Sequence, residues 1–386
     1  MSNILYLVHR IPFPPNKGDK VRSYHLLKHL AAQHRVFLGT FMDDPEDEVH
    51  IDTLRSICAE VHVSKLNPKF ARLRSLNGLL SDDPLTIRYY RDASFQSWVE
   101  KTCATRRIDT AVVFSSAMAQ YVEHISRLPT LVDFVDVDSA KWTQYAQNHR
   151  WPLSWVYRRE GQTLLRYEKQ IAMDAARSFF VTDAEAALFS KLAPECAVRV
   201  EAMCNGVDAE FFQPSDRHLS PFDPAELPVV FTGAMDYWPN IDAVTWFASD
   251  VVPLLRKQWP TLRFYVVGRS PAPAVQALAN DAIVVTGTVP DVRPYLQHAQ
   301  VVVAPLRLAR GIQNKILEAM AMARPVVASP SCANPIDAVP GQDLVIAETA
   351  EDYCTQISAL LASPGLADTI GAAARTRVLE RYSWEA

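Results

Sequence analysis

Apolar runs of strand length alternate along this chain with longer segments in which apolar positions recur every three or four residues. Runs that are apolar throughout, rather than at every second position, predict strands covered on both faces of a parallel sheet, and the longer segments predict the helices that cover them. In the first half the pattern predicts strands at 4–9, 36–41, 60–65, 110–114, 130–135, 178–182 and 198–203. In the second half it predicts strands at 229–233, 262–268, 282–287, 301–306, 325–329 and 343–347. Between the two sets, residues 211–228 hold four prolines and no sustained period, and so read as a linker. The expected organisation is a first domain at 1–210, the linker at 211–228 and a second domain at 229–370. A helical segment at 371–386 follows, free by its pattern to return to the first domain. The fold class expected is α/β, with two Rossmann-like doubly wound domains facing a cleft. Ligands are then expected at the carboxyl ends of the strands.

Composition agrees with two filled cores: hydrophobic residues make up 49% and charged residues 21% of the 386. That balance excludes a disordered, collagen-like or disulfide-dominated chain. The six cysteines are scattered, with no C-x-x-C pair and no zinc-type spacing, and a reducing cytoplasm is the simplest expectation. No leader-like basic and apolar sequence opens the chain, and no run approaches the length of a membrane span. The net charge of −4 argues against nucleic-acid binding. The charge is unevenly placed, however: residues 65–107 carry nine bases against four acids. Residues 150–169 mix Trp151, Trp155 and Tyr157 with Arg150, Arg158, Arg159 and Arg166. Two readings stand for that segment, a core-facing helix with a basic outer face or a peripheral contact with the inner face of an anionic membrane.

The chemistry concentrates at PLRLARGIQNKILEAMAMARPVVAS, residues 305–329, which reads as strand end, loop, helix and next strand. Gly311 permits close backbone approach, and the first N–H groups of a helix starting near Ile312, Gln313 and Asn314 have no intrahelical acceptor. With the helix dipole and the full charge of Lys315, this is a design for an anion such as a diphosphate. Glu318, one turn on, accepts hydrogen bonds only and suits the two hydroxyls of a ribose. The plainer alternative makes Lys315 and Glu318 solvated helix residues.

The same stretch resembles the signature region of family 4 glycosyltransferases, through Glu318-Ala319-Met320-Ala321 and Pro325-Val326-Val327. CNGVDAEFFQP at 204–214 is similar to the sequence that ends the first domain in that family, and VTDAEAALF at 181–189 to the strand-to-helix step before it, with Asp183 expected as a helix cap. Together with VHRIPFPPNKGDKVRSYHLLKHL and FVDVDSAKW, the chain resembles the sugar transferases associated with exosortase (PEP-CTERM) exopolysaccharide loci over nearly its whole length. The resemblance implies a GT-B fold, a UDP- or GDP-sugar donor with its ribose on Glu318, no metal or other cofactor, retention of anomeric configuration, and a glycan or lipid-linked acceptor. The sequence departs from the family at Arg310, where the pattern has a glutamate. Arg310 either meets the diphosphate or an acidic sugar, or forms an internal ion pair. The loop after Gly233 also lacks the basic pair usual in the family, which leaves Arg269, Lys315 and Arg310 as the bases available to phosphates.

In the first half, Lys17 and Gly18 precede an amphipathic helix and are placed either to meet donor phosphates or to form an ordinary turn with Asp19 as cap. Asp136 and Asp138 follow a strand and suit either an acceptor hydroxyl or helix capping; a metal pair is not expected of them. His9, ending the first strand, is either packed or part of an acceptor site. The reading is thus a hexosyltransferase of exopolysaccharide assembly. Its rivals are a nucleotide-sugar 2-epimerase of the same fold and a noncatalytic sugar-binding protein. A dinucleotide oxidoreductase is a weaker rival still, since no G-x-G-x-x-G follows a strand.

Overall fold

A computed structural model describes residues 1–15, 18–147, 149–309 and 311–384. The chain divides into two compact units, Met1–Cys204 and Asn205–Ala386. Unit 1 carries seven strands, β1 (Asn3–Val8), β2 (Arg35–Met42), β3 (Glu60–Lys65), β4 (Thr110–Phe114), β5 (Thr130–Val135), β6 (Arg177–Phe180) and β7 (Val200–Ala202). Unit 2 carries six, β8 (Leu227–Thr232), β9 (Leu262–Val267), β10 (Ile283–Gly287), β11 (Val301–Ala304), β12 (Val326–Ala328) and β13 (Val345–Ile346). Each expected strand has its counterpart, shifted by no more than a few residues at an end. Every pairing between named strands is parallel.

The sheet orders are β3-β2-β1-β4-β5-β6-β7 and β10-β9-β8-β11-β12-β13. In both, the order reverses between the first strand and the fourth, which opens a crevice beyond the carboxyl ends of β1 and β4, and of β8 and β11. The cause of the apolar runs is visible in β1. Leu5 and Leu7 enter the core on one face of the sheet, while Ile4, Tyr6 and Val8 enter the core on the other. The helix Gly18–Gln33 is fixed to unit 1 by two buried ion pairs, Lys20 with Asp47 at 2.7 Å and Arg22 with Asp133 at 2.7 Å.

Residues 211–228, read as a linker, contribute to the core of unit 2. Phe222 is buried there, its ring 4.6 Å from that of Tyr265, and β8 begins within the segment. The helical segment expected at 371–386 is the later part of a helix Pro364–Arg381 that packs on the helix Asn314–Ala321 of the same unit. Val207 pairs in parallel with Ser383, so the two ends of unit 2 are joined. Gly206 serves this junction, since a Cβ on it would stand 2.7 Å from the Trp384 ring. Asp183 is the first residue of its helix, and Thr182 is the cap, accepting from the Glu185 N–H. Among the described residues no single helix is long and apolar enough to cross a membrane.

Candidate donor and acceptor sites

In unit 2 the crevice is built from three backbone segments. Gly233 follows β8, Gly268 follows β9, and β11 runs into the loop that leads to the helix Asn314–Ala321. Gly233 and Gly268 lie so close that a Cβ on Gly268 would overlap the Gly233 carbonyl oxygen at 1.6 Å, so no other residue fits there without moving the backbone. Beyond them, Met235 N–H donates to the Arg269 carbonyl at 2.9 Å, which holds the two loops side by side. The loop after β11 is anchored twice. Ser329 and Ser331 hydroxyls both donate to the Leu306 carbonyl, at 2.6 and 2.7 Å, and Arg307 pairs with Asp242. Gly311 then takes φ 62°, a left-handed turn that feeds the chain into the helix.

This arrangement brings Lys315 back over the end of β8. Its ammonium donates to Asn240 Oδ1 at 2.7 Å, lies 4.0 Å from the centre of the Phe231 ring, and would stand 3.0 Å from a Cβ on Gly233. Asn240 is buried and donates in turn to the Ala234 carbonyl at 2.8 Å, so one amide fixes both the lysine and the loop after β8. Among the described residues no carboxylate lies within salt-bridge distance of Lys315. Burial lowers the Lys315 ammonium to about 7, against the opposing influence of Cys332 and Glu318. Burial raises the Glu318 carboxyl to about 7, with Lys315 pulling it down. Two buried polar atoms nearby in the chain, Thr232 Oγ1 and Asn314 Oδ1, have no hydrogen-bond partner among the described residues. Ile312 is buried and Gln313 partly so, leading into the first turn of the helix. Arg269 is partly buried, and its guanidinium has no partner among the described residues. Arg310 lies outside the described residues, as does Lys17.

The crevice of unit 1 is more crowded. His9, just past β1, stacks on Phe114 with ring centres 5.8 Å apart and meets Tyr90 edge-on. Its Nε2 lies 3.6 Å from Asp19 Oδ2, while its Nδ1 is buried without a partner among the described residues. Asp19, in the first turn after Gly18, also receives Arg10 at 2.8 Å. Burial alone would raise its carboxyl; the hydrogen bond and charge of His9 and the charge of Arg10 hold it far below the usual range. Gly18 faces open space.

Asp136 and Asp138 do not join His9 in a common cluster; they share Lys141, at 2.8 and 3.0 Å. Burial opposes the Lys141 charge, but the two carboxylates more than reverse this and raise its pKa. The pair is thereby already neutralised in part, an arrangement that suits hydrogen bonding better than binding a cation. Among the described residues no group of acids, histidines and cysteines is arranged to hold a metal ion. Val135, just before Asp136, sits at φ 68°, a conformation that costs a β-branched residue on the order of 1–3 kcal/mol. Behind the pair, Glu168 is fully buried and accepts from Ser139 Oγ at 2.5 Å and Ser139 N–H at 3.3 Å.

Asn240, Lys141 and Glu168 escaped the sequence reading. Asn240 approaches Lys315 from 75 positions away and Glu168 approaches Ser139 from 29, and no local pattern announces either contact. Lys141 carried a local signal, since it stands three residues after Asp138 at a helix start.

Residues 226–363 match the family described as Glycosyl transferases group 1. No curated protein matches the chain in sequence. Among solved structures, the UDP complex of Anabaena Alr3699/HepE is similar with a TM-score of 0.68 at 16% identity, covering 100% of this chain and 96% of that one. Sucrose-phosphate synthase from Thermosynechococcus elongatus is similar with a TM-score of 0.69 at 18% identity, with the same coverage. WaaG, a glycosyltransferase involved in lipopolysaccharide biosynthesis, gives 0.65 at 15% identity, covering 99% and 96%. At these identities the likeness is one of fold, and it is the expected one: two parallel-sheet Rossmann-like domains of the GT-B kind. The enzyme class read from the sequence, glycosyltransferase, agrees with the domain match.

Proposed function

We propose that this glycosyltransferase holds a nucleoside diphosphate sugar on unit 2 and transfers its hexose to a glycan or lipid-linked acceptor. One observation carries the donor assignment: Lys315 is a half-buried cation at the carboxyl end of a parallel sheet, fixed by Asn240 and the Phe231 ring, with no carboxylate within salt-bridge distance among the described residues. An uncompensated charge in such a place costs stability unless an anion comes to meet it. A diphosphate on the first turn of the helix Asn314–Ala321 receives that charge, the free N–H groups and the helix dipole together. Gly233 leaves room for the Lys315 ammonium that meets it, Gly311 turns the backbone toward it, Arg269 adds a second base, and Glu318 accepts from the ribose hydroxyls. UDP fits this reading, and the Anabaena structure of the same fold is a complex with UDP.

The chemistry in this reading is electrostatic. As the bond from anomeric carbon to diphosphate breaks, negative charge grows on the leaving oxygen, where Lys315 and the helix start meet it. The acceptor oxygen attacks the same carbon from the same face and its proton passes to the departing diphosphate, which gives retention without an enzyme nucleophile. A trapped glycosyl-enzyme would contradict this step. His9, Asp136 and Asp138 of unit 1 are assigned to the acceptor side, with Lys141 orienting the two carboxylates. The resemblance to exosortase-locus transferases supports a role in exopolysaccharide assembly, in the cytoplasm and against the inner membrane face.

The first test is thermal stability with UDP, GDP, ADP and CMP, on the natural protein and on Lys315→Ala. A ligand at a hundred times its Kd stabilises by about 2.7 kcal/mol. One nucleoside diphosphate should raise the midpoint of the natural protein, and Lys315→Ala should lose most of the shift. An equal shift in both proteins sinks the assignment of Lys315, and no shift with any nucleotide sinks the donor site.

A further inference from the structure

The short helix Pro68–Ser75 in unit 1 is packed inside out. A helix on a domain surface normally turns its large apolar residues inward. Here the small residues Ala71 and Ser75 face the domain, while Phe70 and Leu73 stand about two-thirds exposed, at 66% and 65%. The turn that follows, Leu76–Leu80, continues the surface with Leu76 and with Leu80, which is 92% exposed.

A second apolar group comes from far along the sequence. Trp151 is 81% exposed, and Leu153 and Trp155, in the first turn of the helix Leu153–Asp174, are about half exposed. Arg159, one turn beyond Trp155, joins the two groups. Its guanidinium donates to the Gly78 carbonyl at 2.6 Å and to the carbonyl of Ser81, so Leu80 is held between two residues clamped to the helix that carries Trp155. The two segments so joined present Phe70, Leu73, Leu80, Trp151 and Trp155 exposed, with Leu76 and Leu153 beside them.

The unpaired charges around them are of one sign. Lys69, Arg72, Arg150 and Arg158 are exposed, and none has a carboxylate within salt-bridge distance among the described residues. The nearby acids are already engaged: Asp82 lies 3.7 Å from Arg166, and Asp83 lies 2.7 Å from Arg88. Exposed tryptophan, phenylalanine and leucine ringed by unpaired bases match the boundary of an anionic bilayer, where the apolar groups enter the headgroup layer and the bases meet phosphates. A protein partner would have to supply an apolar face of its own that is also acidic.

The geometry points to a membrane-docking face formed by residues 69–80 and 150–158, whose partner is an anionic phospholipid bilayer. Phe70, Leu73, Leu80, Trp151 and Trp155 enter the interface, and Lys69, Arg72, Arg150 and Arg158 lie along the phosphates. This deepens the reading of a lipid-linked acceptor and rests on it for its purpose, but the surface stands apart from the donor site. The test is sedimentation of the full chain with vesicles of phosphatidylcholine alone or with added phosphatidylglycerol. The natural protein should bind the anionic vesicles in a salt-sensitive manner, with a blue shift in tryptophan emission. Leu73→Glu with Leu80→Glu should lower the partition coefficient about tenfold or more while the melting midpoint stays unchanged. Arg72→Glu with Arg158→Glu should abolish the preference for anionic lipid. Lys315→Ala should bind vesicles as the natural protein does, so a failed donor site and a failed docking face give different results. Equal binding to neutral and anionic vesicles, or full binding by the glutamate variants, overturns the proposal. So does a dimer that forms without lipid and dissociates on the same substitutions, which would make the face a protein interface.

Discussion

Lys315 spends charge stability for readiness. With its ammonium lowered to about 7 by burial, it is only partly protonated at neutral pH until an anion arrives. A bound diphosphate favours the charged form and raises that value, so binding above pH 7 must draw a proton from solvent. Titration of the protein with UDP at pH 8, in buffers of different ionisation enthalpy, is expected to show net proton uptake, and affinity is expected to weaken as pH rises from 7 to 9. Lys315→Arg, which keeps its charge throughout, should show neither effect; uptake that persists in that variant would assign the proton elsewhere. The presence of a base at this helix start was legible in the sequence, because glycine, helix and lysine are neighbours there. What fixes the base was not. Asn240 and Phe231 come from the other side of the sheet's reversal, and their meeting with Lys315 is a product of topology.

At the scale of elements, strands were legible and helix starts less so. Strands of a sheet covered on both faces must be apolar at every position, so β1, β4 and β11 announce themselves without neighbours. Helix starts here often depend on distant partners. Glu160 caps the helix Leu85–Tyr89 by accepting from the Leu85 and Thr86 N–H groups, at 2.7 and 2.9 Å, from 75 positions away. Glu168 does the same for the helix Asp138–Gln147 through Ser139. Burial, reinforced by the charge of Asp138, raises the Glu168 carboxyl to about 8, against the pull of Ser139 and Lys141. The folded protein therefore holds this proton more tightly than the unfolded chain, whose value lies near 4.5. Its contribution to stability is full below pH 4.5, declines above it and is lost as pH rises through 8. Glu168→Gln keeps the shape and has no proton to lose. Denaturation midpoints measured from pH 5 to pH 9 are expected to move in favour of the variant as pH rises; a constant difference would show that Glu168 is ionised throughout.

For the whole molecule, the sequence suggested two domains and placed the change between them at a proline-rich stretch. The physical division falls earlier, at Cys204 and Asn205, because Val207 and Phe222 are buried in the core of unit 2 before its first strand begins. Proline content reports where helices and strands stop, whereas burial decides where a unit starts. Unit 2 has a single continuous core that runs from Val207 to Tyr382. Residues 205–386 expressed alone are therefore expected to unfold cooperatively and to gain stability from the same nucleotide as the full chain. A fragment that melts without a transition would show that unit 2 depends on unit 1 for its fold.

The pairing of Val207 with Ser383, with Gly206 against Trp384, also bears on how such a unit can be handled. An element whose entry and exit are hydrogen-bonded neighbours has a seam, and cutting or rejoining the chain along a seam leaves the interior undisturbed. New termini opened in a surface loop, with the old ones joined across that seam by a short linker, should give a rearranged chain with the same folded interior.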